Sequence, residues 1–439
     1  MTYEITETTR PAVWSRNFTR LWWGETVSFF GSQLTIFALP IVALEAFDVS
    51  TFEVTLINTA AGIGTLAFAA FFSPWADSSH RHRVMVALNV FRLAVVAVVA
   101  AGLIFHYLTM LVVLSAALLL AGATVIYESA FSAMVPLTVE RRGLTRANTW
   151  VGGMQSVANV GAGGVAGILI QALGPASLFV TDLVSYAVAA FCVGGVRVHN
   201  EAKAPRRSIG EYFGTLGVGF RFLWRDKLQR AIVLGITHFN FFTTALQALY
   251  VVYLIRYVGL SIAEVGIGAS LGGVIGVLGV LIAPRLLDRA RLGVILAMTF
   301  ALPAGCALAF LALPGLDKAA SMIVLALILG GWAILVLVNI TATESIKQSL
   351  VPNEMLGRFS SAARILTWGV DPLGAAFGGL LTVFLSIEFS LAILAIGIAT
   401  SCLWTLNAGV IHLPRFPRLI AEGDASAEIP AGIVHTEKT

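Results

Sequence analysis

Charge is scarce in this sequence: Asp, Glu, Lys and Arg make up 12% of its 439 residues, against about 25% in soluble domains. With 58% hydrophobic residues and a mean hydropathy of +0.87, that scarcity excludes a string of ordinary soluble domains. Cysteine is scarcer still. Cys192, Cys306 and Cys402 each stand alone in an apolar run, so neither a disulfide nor a metal site is expected. No motif gathers a nucleophile with a base, and no phosphate-binding loop occurs, so no catalytic residue and no cofactor are assigned and the chain does not read as an enzyme. The net charge of +4 sits in short loops between apolar runs, where it orients a membrane protein and does not mark a nucleic-acid binder. Glu4 and Glu7 precede the first apolar run and no small-residue cleavage site follows it. The run is expected to stay attached as the first membrane helix.

What is present is a succession of runs of about 20 apolar residues, the length that crosses a bilayer as a helix. Twelve are read: 18–45, 52–75, 84–106, 110–136, 148–171, 176–196, 231–255, 262–287, 292–313, 320–345, 359–385 and 389–411. With the N-terminus inside, only Arg256 and Lys318 of 28 Lys and Arg residues fall outside, and Arg92 and Arg364 fall within spans. Basic residues are retained on the cytoplasmic side, so both termini are expected there. The end of span 2 reads S-P-W-A-D-S-S-H-R-H-R from Ser73, and that of span 8 reads P-R-L-L-D-R-A-R from Pro284. One sequence offset relates Asp77 to Asp288, Gly163 to Gly374 and Gly167 to Gly378. This duplication predicts a cytoplasmic segment 1–17, a six-helix bundle 18–196, a linker 197–230, a second bundle 231–411 and a tail 412–439. Parallel halves of this kind make alternating-access transporters, with the substrate site between them. In the linker, G-V-G-F-R-F-L-W-R-D-K mixes apolar and basic residues at helical spacing, which suits a helix on the anionic inner leaflet.

The segments L-W-W-G-E-T-V-S from Leu21, A-D-x-x-x-R-x-R from Ala76, E-S-A-F-S-A-M-V-P from Glu128 and L-G-P-A-S-L-F-V-T-D from Leu173 occur in an order that resembles the major facilitator superfamily. So does the stretch from Asn339 to Arg358, followed by W-G-V-D-P-L-G-A-A-F-G-G from Trp368. Within that superfamily the chain is similar to the macrolide-efflux-like exporters of drugs, natural products and siderophores. The resemblance implies an all-α membrane protein of two six-helix bundles and export of an amphipathic or hydrophobic small molecule in exchange for protons. It also implies a monomer in a bacterial-type plasma membrane, whose partners are substrate, protons and the lipid bilayer. A lipid or lysophospholipid flippase and a proton-symport uptake carrier use the same scaffold and stay open as alternatives. By resemblance, Asp77, Arg81 and Arg83, with their repeats Asp288 and Arg289, form the cytoplasmic gate, and helices 1, 4, 7 and 10 line the cavity.

Ionisable groups inside a bilayer cost about 2.5–3.5 kcal/mol each, which makes every one a functional candidate. Glu25 carries Ser28, Ser32 and Thr35 on its face of helix 1. Glu128 in helix 4 reaches a comparable depth, about 10–12 Å from the inner boundary. The two carboxylates are candidates for proton coupling or for binding a cation; pairing with Arg92 is the structural alternative. Helix 7 offers Asn240, Thr244 and Gln247 as a hydrogen-bonding wall beside His238, which either transfers protons or is a satisfied structural residue. Asp371 precedes Pro372 and either caps a broken helix or carries a proton. Asp182 and Arg364 are expected to be structural.

Overall fold

The computed structural model describes residues 14–47, 49–76, 81–140, 143–196 and 209–415. All regular structure among them is helical, and they fall into two compact units, Met1–Val49 with Ala60–Ser208, and Ser50–Thr59 with Ile209–Thr439.

The helices of the first half are α1 (Arg16–Ala46), α2 (Thr51–Ala76), α3 (Arg81–Ile104), α4 (Met110–Thr138), α5 (Leu144–Leu173) and α6 (Ala176–Gly194). Two of their ends show a clear local cause. Ser15 caps α1 by accepting from the Phe18 amide at 3.0 Å, and its hydroxyl donates to the Thr138 carbonyl at the end of α4 at 2.7 Å. Gly174 ends α5 with φ +80°, a conformation that costs glycine nothing, and Pro175 then precedes α6. The core of this unit packs Phe18 and Leu21 of α1 against Met85 and Leu88 of α3 and Ile126, Phe131 and Met134 of α4.

The second half begins with α7 (Ile209–Arg225), followed by α8 (Lys227–Arg256), whose cap Asp226 accepts from the amides of Leu228 and Gln229. The next membrane pass is α9 (Ile262–Gly276) with α10 (Leu278–Arg289), opened by a reciprocal Ser261–Glu264 capping box. Another comprises α11 (Leu292–Ala301), α12 (Pro303–Ala309) and a 3-10 turn Phe310–Ala312, interrupted where Pro303 cannot continue the hydrogen-bond ladder. Then come α13 (Lys318–Leu350), α14 (Asn353–Gly369), α15 (Asp371–Phe384) and α16 (Ile387–Thr400), which runs into a 3-10 stretch Ser401–His412. Among the described residues, eleven spans are long and apolar enough to cross a membrane. The twelfth expected pass is α14 and α15 in series, divided at Val370.

Small residues let these helices touch. A Cβ added at Gly374 or Gly378 of α15 would strike the carbonyls of Phe241 or Ala245 on α8, and one at Gly276 of α9 would meet Ala333 of α13 at 2.7 Å. Close backbone approach of this kind drives helix association in lipid. The glycines at the front of α5 do not serve this purpose: Gly152 and Gly153 face nothing within 4 Å, and Gly161 only Phe30 at 3.9 Å.

Two sequence expectations change here. The linker helix forms as α7, but its apolar side is taken by protein: Leu216 and Leu223 are buried, Gly219 lies against the Arg358 carbonyl, and Phe222 stacks edge-on to Phe359 of α14 at 5.9 Å. It belongs to unit 2, which therefore starts before 231. The last pass, expected over 389–411, is α-helical only to Thr400.

Candidate functional site

Within the apolar interior of unit 1, Arg92 of α3 is only 2% exposed. Its guanidinium lies between two rings, 4.1 Å from the centroid of Tyr127 on α4 and 4.5 Å from that of Tyr186 on α6, and donates to Asn89 Oδ1 on its own helix. A desolvated cation over an aromatic face gains about 2 kcal/mol. Among the described residues Arg92 has no ion pair within 4 Å. Its charge nevertheless acts on two buried carboxylates, Glu25 of α1 and Asp182 of α6.

Asp182 is held by hydroxyls, Thr35 of α1 donating to Oδ2 and Ser185 to Oδ1 at 2.9 Å. Ser32 shares a 2.9 Å hydrogen bond with the Tyr186 hydroxyl. Gly31 makes this contact feasible, since a Cβ there would run into Ser185 and Asp182. Glu25 Oε2, Asn89 Nδ2, Arg92 Nε and the Tyr127 hydroxyl are buried without a well-formed hydrogen bond among the described residues, although the Tyr127 hydroxyl interacts with both Glu25 and Asn89. Such groups cost free energy until something satisfies them. The polar stripe of helix 1, expected to line a cavity, instead turns into the bundle: Ser28 and Thr35 are buried and Ser32 half-buried, because hydroxyls in an apolar interior find partners on the adjoining helix. Glu128 is exposed, and its charge reaches Glu25.

A cavity of about 420 Å³ opens in unit 2 between α8, α13 and α14. Its apolar wall includes Ile232, Ile236, Phe239, Val336, Ile340 and Phe359, and its polar groups include Asn240, Asn339, Thr343 and Arg364. Asn240 Nδ2 donates to the Thr367 carbonyl at 2.8 Å, satisfying an acceptor near the end of α14 where the helix breaks. One turn on, Thr244 donates to Asp371 Oδ1 at 3.2 Å. Asp371 itself is the first residue of α15; the cap position belongs to Val370, so Asp371 does not cap the second half. Thr244 and Gln247 do not line this cavity, and Gln247 is exposed.

His238 is committed elsewhere. The indole Nε1 of Trp404 can only donate, so His238 Nδ1, 3.4 Å away, accepts; Nε2 then carries the proton and donates to the Gly397 carbonyl at 2.9 Å. That arrangement holds His238 in its neutral tautomer and ties α8 to the last pass. Of the expected gate, Arg81 is half-buried, while Arg83, Asp288 and Arg289 are exposed at helix ends; Asp77 lies outside the described residues.

Sequence reasoning missed Asn89, Tyr127 and Tyr186. A signal was present: Asn89 stands three residues before Arg92, and Tyr186 four after Asp182, spacings that share a helix face. It also passed over Glu344 and Lys347, an ion pair of 2.6 Å at the cavity.

A family model described as Major Facilitator Superfamily matches residues 21–370. A bacterial homologue of the iron transporter ferroportin has a similar structure, with TM-score 0.68 and 18% identity over 89% of this chain and 98% of that one. A POT family peptide transporter gives 0.68 and 10% over 91% and 97%. A bacterial homologue of the human lysosomal transporter Spinster gives 0.65 and 15% over 92% and 97%. At such identities the likeness shows the fold alone. Comparison with curated protein sequences yields no match.

Proposed function

Because the chain belongs to the major facilitator superfamily, a family of membrane transporters, we propose that it exports an amphipathic or hydrophobic small molecule by alternating access, driven by proton entry. The observation that carries the substrate class is the unit 2 cavity, whose walls are chiefly apolar with a few polar groups, the composition of a small-molecule site. It is built on α8 and α13, the seventh and tenth passes, which the resemblance assigns to the cavity. Efflux is the direction that the motif resemblance supports. The iron and peptides named for the similar structures are not carried over.

Proton coupling is supported by charge balance in unit 1. Two buried carboxylates, Glu25 and Asp182, feel the charge of a single buried guanidinium, Arg92, so the cluster is one positive charge short. Buried charge without compensation is costly, and a proton is the smallest cation that restores the balance. Glu128, exposed and electrostatically linked to Glu25, is the group through which that proton would pass. Vesicles containing purified protein and an imposed pH gradient test this, with the transported compound found by screening fluorescent amphiphiles. Glu25→Gln and Asp182→Asn should each abolish gradient-driven transport while leaving substrate exchange at zero gradient. Full gradient-driven transport in both variants and in their double mutant would end the proton reading. Uphill movement in the opposite direction would make the chain an uptake carrier, and transport of labelled phospholipid alone would make it a flippase.

A further inference from the structure

The charges lining the unit 2 cavity do not cancel. Glu344 and Lys347 neutralise each other across 2.6 Å. Arg364 is left over: it lines the same cavity, its Cζ lies 4.9 Å from the Trp368 ring centroid, and it has no carboxylate partner among the described residues. It sits about 16 Å along α14 from the helix start, within an expected membrane pass, and it is exposed at the cavity wall, so its charge stands open to whatever enters. Resting one face on an indole leaves the in-plane N–H donors free, and those donors match a carboxylate or phosphate edge. The apolar groups stand on the facing helices, Ile232, Ile236 and Phe239 on α8 and Val336 and Ile340 on α13.

We infer that the cavity takes an amphipathic anion, with its acidic head on Arg364 and its apolar body along Ile236, Phe239 and Ile340. This rests on the reading of the cavity as the substrate site. Arg364, expected from sequence to be structural, becomes the residue that selects for charge. An acidic solute and an anionic lipid head group share the chemistry, and the experiment separates them.

The probes are 11-(dansylamino)undecanoic acid and its primary amide, which differ in charge at one end. They are titrated against full-length protein in nanodiscs of zwitterionic lipid, reading energy transfer from tryptophan to dansyl. The acid should bind about tenfold or more tightly than the amide, the range of a hydrogen bond to a charged group. Arg364→Gln should erase that preference, Arg364→Lys should keep most of it, and Trp368→Phe should lower the transfer if the probe occupies this cavity. Repeating the titration with phosphatidylglycerol nanodiscs identifies the source: weaker acid binding there assigns the site to a lipid head group, and unchanged binding assigns it to a free acid. Equal binding of acid and amide to the unaltered protein would overturn the anion inference while leaving the cavity as a substrate site. Saturable binding of neither probe would overturn both readings.

Discussion

At the scale of single residues, the chain concentrates its few buried charges where aromatic rings and hydroxyls receive them. Arg92 is shared by Tyr127, Tyr186 and Asn89, and acts at longer range on Glu25 and Asp182. Removing the cation and removing one anion should therefore differ in cost. Arg92→Met leaves two buried carboxylates uncompensated and should lose about 3–5 kcal/mol, the range for breaking a buried charge arrangement; Glu25→Gln removes the surplus negative charge and should lose about 1 kcal/mol or less. Thermal unfolding in detergent measures both, and equal losses would refute the charge count. His238 supplies a contrast, because both ring nitrogens are engaged. His238→Gln should retain the pH-gradient dependence of transport in vesicles; its loss would put a proton path through α8. Ionisable residues in apolar runs announce themselves in sequence, which is why Glu25, Arg92 and Asp371 were legible. Tyrosines do not, since Tyr127 and Tyr186 read as core until folding brings both rings against one guanidinium.

At the scale of elements, the passes were legible because each needs about 20 apolar residues, and the broken pass announced itself through Pro372. The breaks at Val277 and Leu302 were not read, although Pro303 marks the second. Which glycines pack was also hidden: Gly374 and Gly163 share the duplicated offset, yet a sequence offset gives no partner surface. Gly374 and Gly378 pack on α8, so Gly378→Val should strain this contact by about 1–3 kcal/mol, the range of overpacking, and lower the Tm in detergent. An unchanged Tm would show that α15 can slide away from α8 at little cost. Asn240→Leu should destabilise by a similar amount, about 1–3 kcal/mol, by leaving the Thr367 carbonyl without its side-chain donor.

At the scale of the whole molecule, the loop charges predict a topology that labelling tests directly. A cysteine replacing Ser50 should react with an impermeant reagent from outside intact cells, and one replacing Ser208 only after permeabilisation; the reverse pattern would invert the protein in the membrane. The duplication predicts two halves, but neither the start of the second at Ile209 nor the grouping of Ser50–Thr59 with it was legible, because the apolar residues of 209–225 look alike whether they meet lipid or protein. Leu216, Gly219 and Phe222 meet protein, chiefly α14. Among the residues of α7 whose side chains are described, Gly214, Gly217, Val218, Arg221, Trp224 and Arg225 are exposed. With Leu216, Gly219 and Phe222 spent on protein, α7 works as a splint along α14, so any tilt of α14 must drag it along.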